Sequence, residues 1–207
     1  TITFGGSPPT YAITEEWDGS SWTEVADLNQ ARFYIMGAGT AAAGLAFGGR
    51  PPGSHRTETE TWDGSSWTEV SELNDGRSYG ASAGTQTAAI CAGGDSDPNT
   101  ANTEIWDGSS WTEVANLNRT DTYGNGGAGT STDALCFAGY PTGASNEHWN
   151  GTSWTEINNL GTARGYTTGA GATSSAAICL SGTPGPGNYR ISEQFTATLG
   201  NKTITTS

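Results

Sequence analysis

A nine-residue string, Trp-Asp-Gly-Ser-Ser-Trp-Thr-Glu-Val, begins at Trp17 and returns at Trp62 and Trp106. A fourth copy, Trp-Asn-Gly-Thr-Ser-Trp-Thr-Glu-Ile, begins at Trp149. The steps are 45, 44 and 43 residues, and Phe195 stands 46 further on in a degraded fifth copy. Glu15, Glu60, Glu104, Glu147 and Glu193 each lie two residues before the aromatic. A period of this length marks one supersecondary module per repeat, which buries its faces only against its neighbours.

Each period reads as four strands. The first starts near a tyrosine (Tyr34, Tyr79, Tyr123, Tyr166) and runs through small residues to Thr40, Thr85, Thr130 and Thr173. The second is short and apolar and closes on glycine, at 45–49, 90–94, 135–139 and 178–182, with 2–6 as a further copy. In the third, Thr-Glu-x-Trp alternates with period two, so that Glu60 and Trp62 share a face. Asp-Gly-Ser-Ser turns the chain as hairpins require, and Trp-Thr-Glu-Val is the fourth strand. After Leu199-Gly200-Asn201, the alternation from Lys202 to Thr206 predicts a fifth outer strand.

Four antiparallel strands in roughly 40–50 residues are the mark of a propeller blade. The expected fold is all-β: a five-bladed β-propeller of four-stranded antiparallel blades, about 43–46 residues per repeat. It forms a single domain over 1–207, in units of roughly 1–30, 31–74, 75–117, 118–160 and 161–207. The first unit lacks an innermost strand; chain direction favours a place for it upstream of Thr1, in a processed or partial chain. Composition agrees with the fold. Charged residues make up 14% and 31 residues are Gly, which argues against a helical bundle, while eight Trp argue against disorder.

The net charge of −13, with Lys202 the single lysine, repels phosphate backbones and anionic lipid, so no nucleic-acid or membrane role is expected. Three cysteines without a CxxC spacing indicate neither a disulfide framework nor a zinc site. Cys91, Cys136 and Cys179 occupy equivalent places in three repeats and read as small buried thiols.

The Gly pair, the arginine after the fourth strand (Arg32, Arg77, Arg164) and the Trp closing the third-to-fourth hairpin resemble kelch-type repeats. The turn between the two Trp is shorter than in those repeats, and Gly48-Gly49 becomes Ala138-Gly139 and Ser181-Gly182. The Asp-Gly-x-x-Trp run is similar to the Asp-box hairpin of sialidase-like propellers but one residue tighter. The near-verbatim string, with Gly-Ala-Gly-Thr and Phe-Gly-Gly, resembles propeller repeats of marine bacteriophage tail-fibre and virion-associated proteins. That resemblance implies an extracellular or virion-surface location and, as partners, surface receptors or other virion subunits.

The recurrent Trp residues are expected to pack between blades, and the Glu ladder to need cationic partners, for which Arg32, Arg77 and Arg164 are placed. In the third repeat Asp121 replaces the arginine and Arg119 lies two residues away, so one link should differ. His55 falls in a loop, and His148 reads as an outward strand residue. No Ser-His-Asp set or metal-ligand spacing appears, and Asp95-Ser96-Asp97-Pro98-Asn99 reads as a solvated loop, so neither a cofactor, a metal nor an enzyme is expected.

Variation concentrates in the connections after the Gly pair, 7–11, 50–56, 95–102, 140–146 and 183–190. Strand direction puts them on one face with Arg32, Arg77 and Arg164. Variable loops on a rigid scaffold suit recognition. The candidate ligand contacts are Tyr11, Arg50, His55, Arg56, Asp97, Tyr140, Tyr189 and Arg190, with the three arginines. The expected function is non-enzymatic binding or adhesion to a surface glycan or protein. The alternatives are a structural or decoration protein of a virion or surface assembly and a polysaccharide-active enzyme.

Overall fold

The computed structural model describes residues 1–119, 123–140, 143–183, 192–198 and 201–206. Five antiparallel sheets follow one another along the chain. Blade 1 holds β1 (Ile2–Gly6), β2 (Tyr11–Trp17) and β3 (Trp22–Val25). Blade 2 holds β4 (Met36–Thr40), β5 (Ala43–Phe47), β6 (Thr59–Trp62) and β7 (Trp67–Val70). Blade 3 holds β8 (Ala81–Thr85), β9 (Ala88–Ala92), β10 (Thr103–Trp106) and β11 (Trp111–Val114). Blade 4 holds β12 (Gly126–Thr130), β13 (Asp133–Phe137), β14 (Asn146–Trp149) and β15 (Trp154–Ile157). Blade 5 holds β16 (Thr168–Thr173), β17 (Ala176–Leu180), β18 (Ser192–Thr198) and β19 (Asn201–Thr206). The arrangement is a five-bladed propeller, with no helix among the described residues. Blade 1 has three strands, and β19 supplies the outer strand of blade 5, as the sequence predicts.

The hairpin between third and fourth strands is the most regular element. Asp63 Oδ1 accepts from the Ser65 and Ser66 amides and the Ser65 hydroxyl, each at 2.8 Å, while Gly64 takes φ 95°. Asp18 and Asp107 do the same, and Asn150 replaces them in blade 4. This side-chain bridging of a tight turn sets Trp62 directly opposite Trp67, a pairing repeated as Trp106 with Trp111 and Trp149 with Trp154.

Those indoles hold the blades together. Trp67 Nε1 donates to Thr14 Oγ1 of the preceding blade at 3.0 Å, and Trp111 and Trp154 reach Thr59 and Thr103 at the same distance. The other Trp of each pair donates within its blade, to the turn carbonyl between first and second strands: Trp62 to Ala41, Trp106 to Gln86, Trp149 to Ser131. Six indoles are therefore buried with their N–H groups satisfied. The expectation of interblade packing fails for Trp17 and Trp22. Trp22 is 48% exposed against 6% for Trp67, with no blade of the described residues packed on its face.

The Glu ladder is buried in blades 2 to 5 and paired as expected. Arg32 Nη2 lies 2.8 Å from Glu60 Oε1, and its Nη1 donates to Gly48 and Glu58 carbonyls. Asn29 supplies Glu60 Oε2 with two further donors, from its amide and its Nδ2. Arg77 with Glu104 and Arg164 with Glu193 repeat the pair at 2.5 and 2.6 Å. In blade 4 Arg119 takes the role, its Nε 3.6 Å from Glu147, with Nη2 turned toward Cys136 Sγ at 3.1 Å. Asp121 itself lies outside the described residues. All three cysteines are buried and unbridged, and burial pushes the Cys91 thiol up to about 12, which leaves it inert.

Small residues line the axis because the blades converge there. A Cβ on Gly127 would come within 2.5 Å of the Ser82 carbonyl oxygen, and one on Gly169 would strike the Gly127 carbonyl. Ser82, at the equivalent place in blade 3, instead donates its hydroxyl to Gly37 O at 3.0 Å.

Candidate ligand-binding site

The lead-in to each innermost strand passes through one residue in the left-handed region: Tyr34 (φ 56°), Tyr79 (φ 59°), Gly124 (φ 71°) and Tyr166 (φ 55°). A chain of amides links them, Tyr79 N to Tyr34 O, Gly124 N to Tyr79 O, and Thr167 N to Gly124 O. The blade 4 lead-in is therefore offset by one from the sequence reading. Gly124 takes the tyrosine's place, and Tyr123 falls where Phe33, Ser78 and Gly165 stand.

This bend turns the side chains over the axial mouth. Tyr34 stacks on Tyr79 at 3.7 Å between ring centroids, and Tyr79 meets Tyr166 edge-on at 5.3 Å. Tyr123 lies 4.9 Å from Tyr140, which lies 5.2 Å from Tyr166. Five tyrosines from blades 2 to 5 and one variable loop thus form a single aromatic cluster. Tyr34, Tyr140 and Tyr166 are exposed. Tyr34, Tyr79 and Tyr166 rim a cavity of about 330 Å³, whose other walls include Gly37, Ser82, Asn125, Gly127, Thr167 and Gly169, while Tyr123 and Tyr140 pack beside that rim. Its lining is mostly backbone and small polar groups, available for hydrogen bonds, under an aromatic rim.

Burial pushes the Tyr166 phenol up to about 12, the neighbouring Tyr123 and Tyr140 phenols adding to the shift. Tyr79 moves in the same direction by burial and by its hydrogen bond with Tyr34. Burial raises Tyr123 as well, so these three phenols stay uncharged at neutral pH. The rim offers aromatic faces and hydroxyls.

The sequence candidates divide into several groups. Tyr140 joins the tyrosine cluster. Arg50, His55 and Asp97 line a neighbouring groove between the second- and third-blade loops. There Arg50 Nη1 is 3.0 Å from Asp95 Oδ2, its guanidinium lies 5.9 Å over the Phe33 ring, and His55 Nε2 is 3.6 Å from Asp95 Oδ1. Arg56 pairs with Glu58 at 3.2 Å. Tyr11 is exposed at the head of β2 and makes no ring contact with the mouth tyrosines. Tyr189 and Arg190 lie outside the described residues. Arg32, Arg77 and Arg164 leave the candidate set, because each is completely buried in its ion pair and offers a ligand nothing.

Sequence reasoning used Tyr34, Tyr79, Tyr123 and Tyr166 only as strand markers. The recurrence of Tyr two residues after Arg32, Arg77 and Arg164, at one end of each innermost strand, is the signal that finds them. Among the described residues no group of three or more His, Cys, Asp or Glu is placed to hold a metal ion.

No protein-family model matches the chain, and no curated protein matches it by sequence. Among solved structures, YjhT is similar, with a TM-score of 0.84 at 11% identity over 99% of this chain and 80% of that one. At that identity the likeness is one of fold. It overturns the expectation that the chain is not an enzyme: one fold hosts enzymes as well as binding proteins, so the shared propeller excludes neither, and it supplies no positive evidence of catalysis.

Proposed function

We propose that this propeller is a binding module that captures a surface-displayed glycan at its tyrosine-rimmed axial mouth, with the adjoining variable loops extending the contact. The observation that carries this reading is the convergence of Tyr34, Tyr79 and Tyr166, with Tyr123 and Tyr140 packed beside them, around a cavity walled by small polar groups. Flat aromatic faces stack on the C–H face of a sugar ring, while hydroxyls and backbone groups beneath accept and donate to its OH groups. The net charge of −13 favours a neutral saccharide over an acidic one. The likeness of the repeats to kelch-type and phage tail-fibre repeats supports display on a virion or cell surface, where adhesion to a host receptor is the use of such a module.

A glycan array followed by calorimetry tests the reading. Retention of a neutral glycan is expected, and Tyr79→Asn, whose asparagine tolerates the left-handed backbone, should weaken it at least about tenfold with the fold intact. Unchanged affinity in that variant would place the ligand elsewhere. A native assembly in which a neighbouring subunit covers the mouth would favour a structural or decoration role instead.

A further inference from the structure

The mouth tyrosines repeat from blade to blade, so by themselves they give a ligand no preferred direction. What changes is the residue one step outside them. In blades 2 to 5 the residue after the glycine that closes the second strand is Arg50, Asp95, Tyr140 and Thr183. Each is pinned by main-chain hydrogen bonds to the residue that precedes the left-handed bend: Arg50 to Phe33, Asp95 to Ser78, Tyr140 to Tyr123 and Thr183 to Gly165. One backbone frame therefore presents four unlike side chains around the rim: a cation, an anion, an aromatic ring and a hydroxyl.

Two of the four meet. Arg50 Nη1 lies 3.0 Å from Asp95 Oδ2, across the boundary between blades 2 and 3, and His55 Nε2 stands 3.6 Å from Asp95 Oδ1. The pair is unlike the buried ladder: both side chains are partly exposed, so it adds little to stability. Arg50 spends one guanidinium nitrogen, Nη1, on Asp95, and among the described residues its Nη2 makes no hydrogen bond. The pair borders a groove of about 570 Å³, whose other walls include Ser54, His55, Asp97 and Asn99. This groove adjoins the mouth. The Arg50 guanidinium lies over the Phe33 ring, and Phe33 meets Tyr34 edge-on at 4.6 Å. Burial raises the phenols of Tyr79 and Tyr123; as smaller contributions, the Arg50 charge opposes the rise at Tyr79 and the Asp95 charge adds to it at Tyr123. Both members of the pair are thus within electrostatic reach of the tyrosine cluster.

We infer that the Arg50–Asp95 pair and its groove form a second saccharide subsite, which takes the neighbouring sugar of a glycan held at the mouth by two adjacent hydroxyls. This rests on the mouth reading above. One hydroxyl donates to the Asp95 carboxylate and the next accepts from Arg50 Nη2, both charge-assisted bonds. Across the mouth, Tyr140 packs on Tyr123 and offers an exposed ring in place of a charged pair. The glycan therefore runs one way, with its hydroxyl-bonded sugar toward blades 2 and 3. Arg50 is balanced in the groove by Asp95 and Asp97, which suits neutral hydroxyls better than an anionic substituent.

The test uses the full 207-residue chain on a printed array of neutral linear glycans of one to four residues. In the series held best, affinity should rise at least about tenfold from one residue to two, as a pair of charge-assisted hydrogen bonds predicts. Arg50→Met keeps an apolar stem beside Phe33 and removes the charge, and Asp95→Asn keeps the shape of the carboxylate. Each should abolish the gain from the second residue, with the indole N–H spectrum of the parent showing that the fold is kept. Tyr79→Asn should instead lower retention at every length. Equal retention of one and two residues by the parent, or a gain that either pair variant keeps, would overturn the subsite and leave the mouth in place. Retention of no glycan, or indifference to Tyr79→Asn, would overturn the mouth reading and the subsite with it.

Discussion

A guanidinium and a carboxylate buried together lose their hydration, and the loss is offset only when every donor and lone pair is matched. Arg77 approaches that state, with Glu104 at 2.5 Å, the Asn102 carbonyl at 2.7 Å, and Asn74 on the second carboxylate oxygen. Removing the cation strands Glu104 in the core. Arg77→Ala should therefore cost about 3–5 kcal/mol in urea unfolding. Arg119→Ala should cost clearly less, because Arg119 reaches Glu147 only at 3.6 Å and leaves its Nε without a hydrogen-bond partner. Equal losses would mean that the ladder acts through packing alone. The chain's own charges explain why this pairing could be anticipated: a glutamate recurring on the Trp face must find a cation, and the arginines recur at one matching offset. The same recurrence misleads about ligand contact, since a residue repeated in every blade is committed to the blade.

The hairpin turn is the element where side-chain chemistry and fold are most tightly joined. Asp63 is held at about 2 against an ordinary 3.8, first by the Ser65 hydroxyl and then by the Ser66 and Ser65 amides. The folded form binds its proton less readily than the unfolded chain does. The turn's contribution is therefore complete above about pH 4 and is lost as pH falls through about 2. Carboxyl-carbon NMR should show Asp18, Asp63 and Asp107 titrating near pH 2, and midpoints near 3.8 would contradict the bridged geometry. Strands and turns were legible because each rests on local rules, period-two alternation and Asp-Gly chemistry. The tyrosine cluster was not. It depends on left-handed bends in separate blades whose side chains meet only at the axis, and the offset at Gly124 hides the alignment of Tyr123. The Arg50–Asp95 pair was missed for a similar reason: it joins loops 45 residues apart, in which nothing repeats.

At the level of the whole molecule, one repeated interface has different consequences at its interior and at its end. Trp67→Ala should cost about 3–5 kcal/mol, since it empties a filled interblade contact. Trp22→Ala should change stability by no more than about 0.5 kcal/mol, because its indole already faces solvent. Thermal or urea unfolding of the two variants side by side would show it, and a large loss at Trp22 would mean that its face is covered in solution. The scaffold between carries the proposed site on its axis, where four blades and one loop contribute to a single mouth. The most direct test is NMR of the chain with labelled tyrosine rings during titration with a glycan retained on the array. The account predicts shifts at Tyr34, Tyr79, Tyr123, Tyr140 and Tyr166, with Tyr11 unmoved. Shifts at Tyr11 with the mouth rings silent would contradict it.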